Sequence, residues 1–321
     1  MNVFDLICCP VCGGSLHREG QSLMCLGEGR RHCFDIASSG YVNLLPPGKG
    51  KNSHTGDDKF MISARAEFLG KGYYSRMSER LGQIIASLAK ESGKTHISLV
   101  DAGCGEGYHT CNIVNTIVEN GIGATAIGFD ASKHGAAAAS KRAKREGLFN
   151  TWNESSENTA FVENSYDKFL PDNENVKDGS ACFAAGNIFT LPINSASADF
   201  VVSMFAPVAG EENFRILKDD GYLAVAAAGE NHLYELRKVL YDDPRGSSGE
   251  VVTPEGFELV SKETFAYKTT VQSENDIKCL FSMTPFYYRT SREDKAKLDG
   301  LENLEITVET VFFVYRKLSE R

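Results

Sequence analysis

The stretch Val100-Asp101-Ala102-Gly103-Cys104-Gly105-Glu106-Gly107-Tyr108 decides the fold, because three closely spaced glycines join an apolar run to a helical pattern. Residues 97–102 have the continuous apolar character of a buried strand, and residues 106–118 have the spacing of a helix. Glycines at such a turn let a ligand approach the backbone, and the following helix offers its positive N-terminus. The stretch therefore predicts a ligand-binding turn between a strand and a helix.

Two aspartates narrow the chemistry of that ligand. Asp101 precedes Gly103 by two positions, and the glycine spacing differs from the Gly-x-Gly-x-x-Gly of dinucleotide binders. A carboxylate there would repel a pyrophosphate but suits an ammonium group. Asp130 follows Asp101 by 29 residues (130 − 101) at the end of the next predicted strand, where it can accept hydrogen bonds from ribose hydroxyls. S-adenosylmethionine is a ligand with an amino acid at one end and a ribose at the other, so it fits this pair of aspartates. The alternative is that the protein binds another kind of nucleotide.

The rest of the chain extends the same alternation of strands and helices. Strands are expected at residues 124–129, 182–185, 200–204 and 222–227, and helices at 132–145 and 231–240. This order predicts an α/β fold with a parallel, doubly wound, Rossmann-like sheet. The alternating residues 308–315 predict a late antiparallel edge strand. The polar segment 150–180, which contains Trp152, is interpreted as a surface insertion.

A cysteine-rich segment precedes this domain. Cys9 and Cys12 are separated by two residues and followed by glycines, a spacing at which two thiolates grip one ion. Cys25 and then either His32 or Cys33 can complete a tetrahedron, and zinc is the expected metal. The alternative is a set of free, buried thiols. We expect residues 1–45 to form a zinc-binding module, residues 46–95 a connector with helices, and residues 96–321 the main domain.

The amino-acid composition restricts the partners that the protein can bind and its expected location in the cell. The 321 residues are 42% hydrophobic and 24% charged, as in a soluble globular protein, and no apolar run reaches the ~20 residues of a membrane span. The first residues lack the basic region of a secretory signal, so we expect a cytoplasmic protein without a membrane partner. The net charge of −9 argues against coating nucleic acid by bulk charge, so a polyanion must meet a local patch.

Two basic clusters are candidates for such a patch. The first lies in and after the cysteine module, and the second lies on one predicted helix, where a solvated helix face is the alternative explanation. The members are Arg30, Arg31, Lys49, Lys51 and His54 in the first cluster, and Lys141, Arg142, Lys144 and Arg145 in the second.

The glycine turn and Asp130 resemble those of class I methyltransferases, and several stretches resemble the RlmA family of bacterial 23S rRNA guanine-N1 methyltransferases. The similar stretches cover nearly the whole chain except the segment 150–180. They are Cys9-Pro10-Val11-Cys12, Cys25, His32-Cys33-Phe34-Asp35-Ile36-Ala37, Gly40 to Pro46, Gly56-Asp57, Ala64-Arg65, Phe68-Leu69, Gly72-Tyr73-Tyr74, Phe205-Ala206-Pro207, His232 to Leu236, and Met283-Thr284-Pro285-Phe286.

The resemblance implies a class I methyltransferase domain, S-adenosylmethionine as methyl donor, a structural zinc ion and 23S rRNA as substrate. It implies that Tyr74, Gly105, Glu106 and His232 line the donor pocket, that Asn187 lies beside the adenine, and that His32 is the fourth zinc ligand. A homodimer is a further candidate assembly.

Methylation of guanine N1, on the Watson–Crick edge, requires an unpaired or flipped base. Phe205 beside Pro207 is our candidate for holding that base, and the residues alone do not identify a general base. Two other functions remain open. One is a small-molecule methyltransferase with a zinc lid, and the other is a non-catalytic RNA-binding protein.

Overall fold

The computed structural model describes residues 2–26, 29, 31–46, 56–148, 152, 178–244, 246 and 249–319. In chain order the strands are β1 (Leu16–Glu19), β2 (Ser22–Cys25), β3 (Cys33–Asp35), β4 (Val42–Asn43), β5 (His96–Ala102), β6 (Gly123–Asp130), β7 (Gly179–Ala185), β8 (Ala198–Met204), β9 (Leu217–Ala228), β10 (Phe257–Val271) and β11 (Leu304–Lys317). The helices are α1 (Lys59–Gly70), α2 (Ser75–Glu91), α3 (Tyr108–Glu119), α4 (Lys133–Arg145), α5 (Gly210–Ile216), α6 (Tyr234–Leu240), α7 (Glu274–Ser282), α8 (Phe286–Arg289) and α9 (Arg292–Ala296).

The main sheet has eight strands in the order β10-β11-β9-β8-β5-β6-β7-β4. Strands β4 to β9 pair in parallel, and the chain adds β6 and β7 on one side of β5 before it adds β8 and β9 on the other. The strand order therefore reverses between β5 and β8, and ligands of such sheets bind in the crevice outside the carboxyl ends of these strands. The predicted α/β, Rossmann-like fold is confirmed.

Each face of the sheet is covered differently. On one face Leu99 of β5 packs in the same apolar cluster as Ile85 of α2 and Ile113 of α3. On the other face Val100 shares a cluster with Leu23 of the cysteine-rich segment. The small three-stranded sheet β1-β2-β3 thus belongs to a segment that covers the second face, where a doubly wound fold usually places helices.

The prediction of an edge position for the last strand is wrong. Strand β11 lies between β9 and β10 and pairs antiparallel with both, and β10 forms the edge. The sequence analysis missed β10 because polar and charged residues such as Glu258, Lys262 and Glu263 interrupt its apolar pattern. Charged residues on an edge strand discourage pairing with another chain, so this weak pattern is itself typical of an edge.

The opposite edge joins the cysteine-rich segment to the main sheet. Val42 and Asn43 of β4 pair in parallel with Ala184 and Ala185 of β7. Trp152, which we placed in a surface insertion, is completely buried, and its Nε1 donates a hydrogen bond of 2.9 Å to the Gly40 carbonyl. The surface prediction is therefore wrong at Trp152, because the indole packs against the cysteine-rich segment. The rest of the predicted insertion, apart from residues 178–180, lies outside the described residues.

Within the described ranges, no helix combines the length and the apolar character that crossing a membrane requires.

Candidate cofactor pocket and zinc centre

The glycine turn between β5 and α3 depends on having no side chains. Gly103, Gly105 and Gly107 have φ angles of +100°, +55° and +82°. A Cβ at Gly103 would lie 2.6 Å from Cβ of Ala206, and a Cβ at Gly107 would lie 2.8 Å from Cβ of Ala139. The turn is thus packed between the loop after β8 and helix α4, and its conformation requires glycine. Because Gly107 is left-handed, α3 begins at Tyr108 and not at the predicted Glu106.

Asp101 presents an unsatisfied carboxylate oxygen beside this turn. The side chain is 1% exposed, and its Oδ2 accepts a 2.5 Å hydrogen bond from the Thr110 hydroxyl. Its Oδ1 is buried and has no hydrogen-bond partner within the described ranges. Burial raises the pKa of Asp101 to about 7. A buried lone oxygen is costly, and an ammonium group would satisfy it, so the site fits the amino-acid end of S-adenosylmethionine.

Asp130 lies at the carboxyl end of β6, and its side chain holds the glycine turn by a hydrogen bond. Its Oδ2 accepts from the Gly105 amide at 2.9 Å, and its Oδ1 accepts from the Ser132 amide at 2.7 Å. Burial raises the pKa of this carboxyl group as well. Each oxygen has a second lone pair, so the carboxylate retains the capacity to accept hydrogen bonds from ribose hydroxyls.

Asp57, which precedes α1, and Arg65 of α1 lie close to the same glycine turn. Arg65 and Asp57 form an ion pair with Nη1 and Oδ2 2.5 Å apart, and a Cβ at Gly105 would lie 3.3 Å from that Nη1. The Ser132 hydroxyl donates to the Asp57 carbonyl at 2.7 Å. The sequence analysis assigned no role to Arg65 or Asp57; the only signal was their presence in the family-like stretches.

Glu106 faces helix α4 through a buried ion pair. Its Oε2 lies 2.6 Å from Nη2 and 2.7 Å from Nε of Arg142, and its Oε1 accepts from the Tyr108 amide at 3.2 Å. The prediction of Arg142 as part of a solvated basic patch is wrong, because this side chain is buried against the glycine turn. The sequence did contain a signal for this burial. Arg142 follows Ala139 by three residues and Gly135 by seven, so a helix places it on the same buried face as these small residues.

Three residues predicted from separate parts of the chain come together at the carboxyl ends of the strands. The Tyr74 hydroxyl lies 3.3 Å from Nε2 of His232, and the His232 ring centroid lies 5.5 Å from that of Phe205. Phe205 is 43% exposed and has a φ of +52°, which is an uncommon conformation for a bulky residue. Leu233, directly after His232, has a φ of +55°, so α6 begins three residues later than predicted. Strain of this kind concentrates at functional sites.

The hydrogen bonds of His232 fix its tautomer. Its Nδ1 accepts from the Glu309 amide at 3.3 Å, so the proton of the neutral ring lies on Nε2 and points at the Tyr74 hydroxyl. Burial lowers the pKa of His232 to about 4. Both ring nitrogens are therefore engaged, and the imidazole is neutral at physiological pH.

His109 is a residue of this region that the sequence analysis missed. It follows Tyr108 at the start of α3, and its ring centroid lies 6.5 Å from that of Phe205. Its Nδ1 lies 2.7 Å from the Ser78 hydroxyl oxygen. Burial, followed by the charges of Arg65 and Arg142, lowers the pKa of His109 to about 3. Its place directly after the glycine turn was the only sequence signal.

Two further candidates lie at the rim. Pro207 is exposed, and its carbonyl accepts from the Ser203 hydroxyl at 3.5 Å. Asn187 is exposed two residues after β7, and its Oδ1 accepts from the Phe189 amide at 3.1 Å. The Asn187 side chain therefore stabilises its own turn, and the structure does not bring it into contact with the glycine turn.

The cysteine-rich segment gathers four ligand-type atoms. Those of Cys9, Cys12, Cys25 and His32 all lie within 4.8 Å of one another. Nδ1 of His32 is 3.6 Å from Sγ of Cys9 and 3.4 Å from Sγ of Cys25, and Sγ of Cys12 is 4.0 Å from Sγ of Cys25. Zinc bond lengths in a tetrahedron give edges of about 3.6 to 3.8 Å, so the four atoms fit zinc. Cys33 is exposed and lies outside this group.

Comparison with known proteins agrees with a cofactor pocket in the main domain and a zinc centre in the cysteine-rich segment. Residues 7–54 match the family described as RlmA, N-terminal, and residues 76–206 match a methyltransferase domain. YxjB of Bacillus subtilis (strain 168), provisionally named a 23S rRNA (guanine-N(1)-)-methyltransferase, is 26% identical over 321 residues, which cover 98% of each chain.

Two further relatives carry similar names. The 23S rRNA (guanine(748)-N(1))-methyltransferase of Streptomyces fradiae is 26% identical over 328 residues, which cover 99% of each chain. A protein of Micromonospora griseorubida, provisionally named a 23S rRNA (guanine-N(1)-)-methyltransferase, is 29% identical over 242 residues, which cover 71% of this chain and 67% of that one.

The fold, the glycine turn and the cysteine–histidine cluster together define a methyltransferase with an amino-terminal zinc ribbon, an enzyme that uses S-adenosylmethionine and holds a structural zinc ion. Within that class, the chain is similar to the RlmA family in its amino-terminal segment, residues 7–54, and to the relatives named above along its length.

Proposed function

We propose that this enzyme transfers a methyl group from S-adenosylmethionine to N1 of a guanine in a hairpin of 23S rRNA. The names of the full-length relatives support the choice of RNA and atom. The observation that carries the proposal is the buried, unpartnered Oδ1 of Asp101 next to the glycine turn. Gly103 of that turn packs close to Ala206, the residue after the partly exposed Phe205, so the place for the donor lies near a surface for a base.

The donor-binding roles follow from position. Asp101 accepts the ammonium group, the backbone of Gly103 and Gly105 borders the methionine tail, and Asp130 accepts from the ribose. We expect Asn187 at the adenine end, because it follows β7.

The remaining donor residues act from the walls of the pocket. Tyr74 and His232, joined by their hydrogen bond, are expected to form one wall of the pocket. Glu106 contributes by holding the turn against α4 through Arg142.

Transfer from a sulfonium to a ring nitrogen is a direct displacement, so the protein contributes alignment and a dry environment. Bound zinc would order the ribbon, and Cys9, Cys12, Cys25 and His32 would hold it. Guanine N1 must lose its proton and leave its base pair, so the base has to enter the cleft singly. Phe205, presented by its left-handed backbone, is the surface on which we expect the base to stack, with Pro207 at the rim.

Exposed cations of the ribbon and of α4 are the expected phosphate contacts. Arg31 of the ribbon and Lys141, Lys144 and Arg145 of α4 are exposed. Because Arg142 is buried, the patch on α4 is one charge smaller than the sequence indicated. Arg30, Lys49, Lys51 and His54 lie outside the described residues. Binding through such contacts should fall steeply with salt.

The test is transfer of a labelled methyl group to unmodified 23S rRNA, followed by mapping of the modified nucleotide by primer extension, which stops at a guanine methylated on N1. A single stop in a hairpin supports the proposal. Binding of the donor without transfer to RNA would favour a small-molecule methyltransferase with a zinc lid. No binding of the donor would leave the non-catalytic RNA-binding protein.

Two accompanying expectations complete the proposal. A substrate in the ribosome places the enzyme in the cytoplasm. The homodimer stays a prediction, and the molar mass in solution with and without RNA, measured by light scattering, tests it.

A further inference from the structure

The polar groups that surround Phe205 differ in how much hydrogen-bonding capacity they have left. His232 uses Nδ1 to accept from the Glu309 amide and points Nε2 at the Tyr74 hydroxyl, so neither nitrogen is free for a ligand. The Ser203 hydroxyl is committed to the carbonyls of the loop after β8. His109 is the other ring beside Phe205, and only its Nδ1 has a hydrogen-bond partner among the described residues.

The accessible nitrogen of His109 is Nε2. The His109 side chain is half-buried, and Nε2 has no hydrogen-bond partner among the described residues, so this nitrogen is the one left to meet a ligand. Its ring centroid lies 6.5 Å from that of Phe205, so a base that rests on the side of the phenyl ring next to His109 can reach the imidazole.

Ser78 decides which role Nε2 can play. The Ser78 hydroxyl has one proton and two acceptors in reach, Nδ1 of His109 at 2.7 Å and the Tyr74 carbonyl at 3.5 Å. The contact with the Tyr74 carbonyl is longer than an ordinary O–H···O hydrogen bond, so we assign the Ser78 proton to the contact with Nδ1. With Ser78 as the donor, Nδ1 accepts and Nε2 carries the proton of the neutral ring.

From this geometry we propose that His109 donates a hydrogen bond from Nε2 to O6 of the target guanine. Guanine presents an acceptor at that position and adenine presents an amino donor, so the same bond selects the base. The proposal rests on the proposed function, because it assigns a partner to one atom of that substrate.

The bond also has a catalytic consequence. As N1 gives up its proton to water, negative charge moves onto O6. The N1–methyl bond then forms as the sulfur–methyl bond breaks, which neutralises the base and leaves the demethylated donor. A donor aimed at O6 stabilises the intermediate charge, as oxyanion-hole donors do. Burial, followed by the charges of Arg65 and Arg142, disfavours a charged imidazole and thus keeps His109 a neutral donor.

The experiment is a double-mutant cycle between enzyme and substrate. One change is His109→Ala in the enzyme, and the other replaces O6 by sulfur in the target guanine of a synthetic hairpin. Single-turnover rates are measured at saturating donor and RNA, and donor affinity is measured by calorimetry. We expect His109→Ala to slow transfer to normal RNA by about 10²-fold with donor affinity unchanged. Sulfur accepts hydrogen bonds weakly, so the loss from His109→Ala should be much smaller on the thio substrate.

His109→Gln, which can place an amide N–H near the position of Nε2, should recover part of the rate, and Ser78→Ala should give an intermediate rate. Equal losses from His109→Ala on the two RNAs would overturn the proposal while leaving the proposed function intact. If the wild-type enzyme methylates no guanine N1 in any RNA although it binds the donor, the proposed function and this inference both fail.

Discussion

Asp101 and Asp130 end neighbouring strands, and their surroundings leave them in different chemical states. Asp130 accepts two backbone hydrogen bonds, whereas one oxygen of Asp101 is buried and accepts no hydrogen bond from the residues that the structure describes. The sequence predicted both carboxylates from their places after apolar runs. It could not predict the contrast between them, because that depends on Thr110 and on the depth of burial.

The state of Asp101 makes donor binding depend on pH. Its pKa is raised to about 7, and an ammonium binds the ionised carboxylate, so the complex has to lower this pKa. Affinity should be constant above the pKa and should fall below it, to roughly tenfold weaker near pH 6. Calorimetric titration of the demethylated donor between pH 5.5 and 8.5 measures this dependence. Asp101→Asn should bind weakly at every pH, and a wild-type affinity that rises as pH falls would contradict the assignment.

Phe205 allows base recognition to be separated from donor binding. Phe205→Ala should reduce transfer to RNA by tenfold or more, because stacking of one base is worth about 1 to 3 kcal/mol. Donor affinity should stay within about twofold of the wild type, since the role of Phe205 is to hold the base. Phe189→Ala is a matched control, because Phe189 is exposed and follows a different strand.

The backbone of Phe205 adds an independent measurement. Its φ of +52° disfavours any residue with a side chain, so Phe205→Gly should unfold at higher denaturant than Phe205→Ala. Equal turnover in the wild type and both variants would show that this ring does not contact the base.

At the level of elements, the sequence predicted helices and strands best where the apolar period was clear. Strands β5 and β6 and helix α4 lie close to their expected positions. The starts of α3 and α6 were misplaced because the left-handed Gly107 and Leu233 interrupt the chain before each helix. Arg142 was misplaced because a run of Lys and Arg is typical of a solvated face, and the pairing with Glu106 is a tertiary contact.

The pair between Arg142 and Glu106 should be important for stability. Arg142→Met leaves a carboxylate that is 2% exposed without its partner, which should cost about 3 to 5 kcal/mol of unfolding free energy in urea titrations. Lys141→Met, one residue away and exposed, should change stability by less than about 0.5 kcal/mol. The double variant with Glu106→Gln should recover part of the loss, because it removes the unpaired charge. A loss no larger than that of Lys141→Met would show that the pair is dispensable.

At the level of the whole molecule, the sequence predicted a zinc ribbon and a doubly wound domain but not how they are joined. The apolar residues of the ribbon, such as Leu6 and Leu23, share one cluster with Val100 and Phe129 of the main sheet. Short β4 has no sequence signal of its own, since two residues form no periodic pattern. Contacts between distant parts of a chain depend on the assembled fold, and a local pattern does not contain them.

The fluorescence of the only tryptophan can report on the contact between the ribbon and the main sheet. Trp152 is buried and donates to Gly40 of the ribbon. Removal of zinc by a chelator should loosen the ribbon, so we expect Trp152 emission to shift to longer wavelength and the melting temperature to fall. Trp152→Phe should remove the fluorescence signal and keep the fall in melting temperature. An unchanged emission spectrum in a sample proven metal-free would contradict a zinc-dependent joint.

The pairing of β4 with β7 also has a consequence for the time course of synthesis. Val42 leaves the ribosome 142 residues before Ala184, its partner in the sheet (184 − 42). The ribbon can therefore capture its metal early, but its last strand has to wait until β5, β6 and β7 of the main sheet have been translated. During that interval a growing chain carries a metal-bound ribbon that has not yet joined the main sheet.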